Sequence, residues 1–76
     1  MQRSDQLPAA EARIGDLITL WDGAGYRVQM VTPSASGKII HIDVVVEVVA
    51  PDGPELGRRF SLGKRAGTML MVDRAG

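Results

Sequence analysis

The chain has one histidine, His41, and Asp43 follows it by two residues. In an extended segment that spacing puts both on one face, where a carboxylate can orient an imidazole, half of a general-base arrangement. Same-face neighbours on a strand lie roughly 6.5–7 Å apart, and the sequence places no nucleophile beside this pair. Glu47 falls about 13 Å beyond Asp43, too far to complete a metal site from one strand. The Gly-Lys pairs at 37–38 and 63–64 lack the upstream glycine, the following Ser or Thr and the helix that a phosphate loop needs. These residue types predict no enzyme, no catalytic residue, no metal site and no cofactor.

Binding chemistry is easier to find. Residues 57–67 read GRRFSLGKRAG and carry Arg58, Arg59, Lys64 and Arg65 with no acid. Set around Phe60 in a glycine-containing hairpin, these four cations would offer charge, backbone N–H groups and an aromatic face to RNA, DNA, a phosphate ligand or an acidic protein patch. A charged hairpin can equally protect a sheet edge against aggregation. The whole chain has nine basic and nine acidic residues, so only local charge can attract an anionic partner.

A second candidate surface is apolar. Met69 and Met71 alternate with Leu70 and Val72, which makes both faces of one strand apolar, more than a small monomer needs. With Val45 and Val49 of the longest strand, they are the residues expected to meet a second copy of the chain.

The elements that position these groups follow from periodicity. Seventy-six residues fit one small domain, and the absence of cysteine removes both disulfides and thiolate metal sites. Residues 1–13 are polar and predict an N-terminal arm or short helical turn. No apolar leader or ~20-residue apolar run is evident, so a soluble, cytoplasmic protein with no membrane partner is expected.

Residues 14–76 form the predicted β-domain. Period-two patterning predicts strands over 16–21, 26–32, 38–49, 58–62 and 68–72, separated by DGAG, PSASG, APDGPE and GKRAG turns. In the third, Ile40, Ile42, Val44, Val46 and Val48 should face the core, with His41, Asp43 and Glu47 outward. In the second, Tyr26, Val28 and Met30 should share a side. Twelve extended residues span about 40 Å, whereas a sphere of this chain length is ~30 Å across. The third strand must therefore bend sharply or reach another chain.

Five short strands predict an all-β fold, a small five-stranded barrel. RIGDLITLWDGAGYRVQMV, residues 13–31, resembles the opening of SH3-like barrels, KOW-type modules among them, at Ile14, Gly15, Asp16, Leu17, Ile18, Gly23, Gly25, Val28 and Val31. An OB-like barrel is the alternative architecture. The resemblance implies a fold that hosts protein-binding, RNA-binding and structural modules. It also implies that Trp21 and Tyr26, flanking the first loop, could dock a peptide or stack a base, whereas their spacing alone suits a cross-strand aromatic pair. The leading expectation is a self-associating binding or adaptor module. Nucleic-acid or phosphate binding through 57–67 is the second, and a structural or regulatory accessory of a virus or mobile element the third.

Overall fold

The structure, a computed structural model, describes residues 2–20 and 22–75. It is all-β and antiparallel, with six strands: β1 (Gln2–Pro8), β2 (Leu17–Thr19), β3 (Gly25–Pro33), β4 (Ile39–Val48), β5 (Arg59–Arg65) and β6 (Met69–Ala75). They form one sheet in the order β1-β6-β2-β3-β4-β5. The sheet is not closed: β1 and β5 are its two edges. The only helical element among the described residues is a 3-10 turn at Ala9–Glu11, and no helix is long and apolar enough to cross a membrane.

The N-terminal segment differs from expectation. The expected short helical turn is confined to Ala9–Glu11, and the residues before it form not a loose arm but β1, which pairs with β6 from Gln2↔Ala75 to Pro8↔Met69. QRSDQLP has no apolar alternation to announce a strand; the neighbouring strand provides the ladder, and edge strands need little intrinsic preference. The 3-10 turn then ties this end to the β5–β6 connection, with Ala9 N–H donating to the Thr68 carbonyl at 2.8 Å and Ala10 N–H to the Ala66 carbonyl at 3.1 Å.

Rungs across the sheet define the core. Val72, Ile18, Tyr26 and Val46 are successive partners on one rung, Val28, Val44 and Phe60 on a second, and Val31, Ile42 and Leu62 on a third. All of these except Val31, Phe60 and Leu62 are buried, and those three pack against the same cluster from its margin. The margin is where the open sheet leaves β5 half covered.

Two bulges correct the expected alternation. Val28 pairs with Val44 but Met30 pairs with Asp43, so Gln29 is an extra residue in β3. Tyr26 pairs with Val46 but Gly25 pairs with Val48, so Glu47 is an extra residue in β4. Each insertion flips the side-chain phase beyond it. Met30 therefore points outward, 53 % exposed, while Val31 turns toward the core. Val48 likewise leaves the core line and is 47 % exposed. It lies over Gly25, where an added Cβ would stand only 2.9 Å from the Val48 Cβ and Cγ2. Close approach is what requires glycine there.

The long strand does not overhang. The molecule measures 36 × 26 × 19 Å, and ten residues of β4 span about 33 Å, so the strand runs within the long dimension of a flattened body.

Candidate interaction surfaces

The first loop fixes Tyr26. Asp22 accepts the Ala24 N–H at 2.9 Å through Oδ1 and the Tyr26 hydroxyl at 3.2 Å through Oδ2. The Tyr26 ring is 4 % exposed and meets Phe60 edge-on, with centroids 6.2 Å apart and planes at 76°. Burial, and then the negative charge and hydrogen bond of Asp22, push the hydroxyl above the usual tyrosine range. Tyr26 is thus a core residue whose hydroxyl alone reaches the loop. Its expected partner, Trp21, lies outside the described residues.

Asp16, inside the stretch that resembles SH3-like openings, is the one buried charged residue among those described, 3 % exposed. Its carboxylate accepts the Arg13 N–H at 2.8 Å and two Arg74 nitrogens, Nε at 2.9 Å and Nη2 at 2.8 Å. Its backbone carbonyl accepts the Val28 N–H at 2.8 Å. Burial acts to raise the carboxyl's pKa, but the Arg74 hydrogen bonds and charge, with Arg13, outweigh it and hold the group below the usual aspartate value. This network is structural: it joins the turn before β2 to β6. Periodicity put Asp16 on the side of Ile18, as observed, but gave no sign of Arg74, 58 positions away.

The segment 57–67 is a strand where a hairpin was expected. β5 runs through Gly63 to Arg65, and the turn shrinks to Ala66 and Gly67. Arg59 and Arg65 project from the outer face with Ser61 and Gly63, while Phe60, Leu62 and Lys64 turn toward the core side. Six residue steps separate Arg59 from Arg65, about 20 Å. Arg58, just ahead of the strand, holds its guanidinium 5.2 Å from the Phe60 ring centroid. The four cations are therefore strung along one edge and divided between two faces. None of Arg59, Lys64 and Arg65 has an ion pair among the described residues.

The ladder shows which backbone groups this edge leaves open. Val46 N–H donates to the Arg58 carbonyl and Ala66 N–H to the Lys38 carbonyl, both at 2.9 Å. The β4–β5 register is constant between these bonds, and hydrogen-bonded antiparallel pairs recur every second residue. Phe60, Leu62 and Lys64 accordingly bond to β4. The N–H and C=O groups of Arg59, Ser61 and Gly63 and the N–H of Arg65 point away from the sheet, while the Arg65 carbonyl accepts the Thr68 N–H of the following turn at 2.9 Å.

The expected self-association residues fall on the opposite face from the core. Gln6, Met71, Thr19, Gly25 and Val48 are successive partners on one outer rung, and Asp73, Leu17, Arg27, Val45 and Arg59 on the next. Met69 and Met71 are exposed there, Val45 is half-buried and Val49 is exposed just beyond β4. A Cβ at Gly25 would touch both Val48 and Leu17, so these two side chains adjoin over the glycine. Arg27 crosses the strip to Glu47, Nε to Oε2 at 2.6 Å, and donates to the Gly15 carbonyl at 2.7 Å, which neutralises the charge beside the apolar residues.

His41 and Asp43 sit on the same exposed face, opposite Gly63 and Ser61. No hydrogen bond joins His41, Asp43 and Ser61 among the described residues, and the diagonal from His41 to Ser61 spans ~7–8 Å between Cα atoms. Nearby, Gln29, Met30, Asp43, Arg59 and Ser61 line a shallow depression of about 470 Å³ whose charges are of both signs. Compared with protein-family models, curated proteins and solved structures, the chain matches none.

Proposed function

We propose that this protein is a non-enzymatic binding module of the small-barrel type that associates with a second copy of itself through its outer face. The observation that carries the reading is the strip formed by Leu17, Val48, Met69 and Met71, apolar side chains on strands that already bury a complete core on their other side. A two-fold interface must be self-complementary, and the internal Arg27–Glu47 pair leaves this strip without net charge, so two copies can face without repulsion.

An SH3-like architecture is part of the proposal. With β1 set aside, the order β6-β2-β3-β4-β5 is a four-strand meander whose last strand returns beside its first, the connectivity of a small five-stranded barrel. β1 adds a sixth strand at the edge that such a barrel would close. The division of the cations of β5 between its two faces supports a protein partner over a nucleic acid, whose binding sites gather Lys and Arg on one face.

Size-exclusion chromatography with light scattering tests self-association. The expected result is a species near twice 8.1 kDa that Met71→Glu or Val48→Glu converts to monomer with the fold retained. A monomer of 8.1 kDa at high protein concentration sinks the proposal.

A further inference from the structure

The β5 edge and the outer strip occupy different parts of the sheet, and β5 has its own chemistry. We infer that β5 is a docking edge for an acidic, extended segment of another protein, which adds to the sheet as a seventh, antiparallel strand. Four observations converge on it.

The outward N–H and C=O groups of Arg59, Ser61 and Gly63, with the Arg65 N–H, supply the donor and acceptor row that an added strand needs. Gly63 lies in the middle of that row, and a Cβ built there meets nothing within 4 Å. Its own fold does not require glycine at this point; a strand interior spends one where another backbone comes close. Phe60 and Leu62 are half-exposed at this margin because the sheet stops at β5, so an incoming strand gains apolar contact by covering them. Finally, Arg59, Lys64 and Arg65 have no ion-pair partner among the described residues and no acid between 57 and 67, so the edge is cationic along its whole length.

Charge also decides the occupant. Two β5 strands brought edge to edge would oppose like charges, which excludes a symmetric β5–β5 pair. The register gives the complementary pattern. Reading from the residue opposite Arg65 to the one opposite Arg59, an antiparallel partner wants acids at its first, second and seventh positions and apolar residues at its fourth and sixth, over Leu62 and Phe60. No two acidic residues are adjacent in this sequence, so a second copy of it does not present the paired acids of the first two positions.

The probe is a capped synthetic heptapeptide, Glu-Glu-Thr-Val-Thr-Val-Glu, titrated into the full chain and followed by calorimetry and by amide NMR. Saturable binding is expected, with the Ser61 and Gly63 amides shifting more than those of Phe60 and Leu62, and at least a tenfold loss when each Glu is replaced by Lys. Ser61→Pro removes an outward N–H that β4 does not use, so the fold should persist while binding falls at least tenfold. The double variant Arg59→Glu, Arg65→Glu gives an independent reading if the proline perturbs the sheet, and it too should lose at least tenfold. Absence of peptide binding, or binding that all these variants leave unchanged, overturns the inference. So does a single-stranded oligonucleotide that binds more tightly than the peptide and ignores Ser61→Pro, since that outcome identifies the cations as a phosphate-binding surface.

Discussion

Arg74 holds Asp16 with two guanidinium nitrogens across 58 positions of sequence, fastening the last strand to the turn that precedes β2. The partners are unequal: the Asp16 side chain is 4 % exposed and that of Arg74 34 %. Removing the arginine strands a buried carboxylate, which is the costlier loss. Arg74→Met should destabilise the protein by about 2–4 kcal/mol, below the full value for a buried pair because Arg74 is partly solvated. The carboxyl is held below its ordinary value in the folded state, so its contribution is present above the unfolded aspartate pKa and disappears as pH falls through the folded one. Denaturant titrations at neutral and strongly acidic pH should therefore show the gap between wild type and Arg74→Met narrowing in acid; a constant gap would disprove the ionic origin.

The bulge at Gln29 makes a prediction opposite to that of plain alternation. Val31→Lys should cost about 1–3 kcal/mol, because it brings an ammonium to the core margin, whereas Met30→Lys should stay within about 0.5 kcal/mol. Urea midpoints of the two variants decide between the phases.

Gly25 and Val48 should behave as a coupled pair. Gly25→Ala puts a methyl 2.9 Å from the Val48 Cβ and Cγ2 and should destabilise by about 1–3 kcal/mol. Val48→Ala leaves the Cβ contact and should not rescue it, while Val48→Gly should. Equal coupling for both partners in a double-mutant cycle would contradict the contact.

Tyrosine ionisation reports on the loop. Absorbance titration of Tyr26, the one tyrosine, should give a midpoint above the ordinary value of about 10. Asp22→Asn should lower that midpoint only in part, since burial is the leading cause and persists. The raised value also means that this group's contribution to stability is complete below the unfolded pKa and fades as pH climbs through the folded one. A midpoint that Asp22→Asn returns fully to the ordinary value would refute the primacy of burial.

Much of the fold was legible because β-branched alternation is a strong local signal. Ile40, Ile42, Val44 and Val46 line the core as their spacing required, and turns fall at the glycine-rich and proline-rich joints. Three features were not legible, each for a physical reason. β1 is a strand by virtue of its neighbour β6, with nothing apolar in its own alternation. The bulges at Gln29 and Glu47 are set by pairing geometry, and a single strand's pattern holds no record of the partner's count. Arg74 is specified as the mate of Asp16 only in three dimensions. The basic segment shows the same limit from the other side: its residues are evident in the sequence, yet Gly63 inside a strand has the same local signature as a turn glycine, and only the ladder draws the cations apart.

The position of β5 has a consequence for the solubility of the chain. β4, the stretch richest in valine and isoleucine, is flanked by both β3 and β5 from Ile40 to Val45 while both neighbours stay in place. Were β5 to peel away, seven residues of the most β-prone segment would become an open template within a partly folded molecule. The edge-on contact of Phe60 with Tyr26 thus helps to keep the protein's longest strand covered.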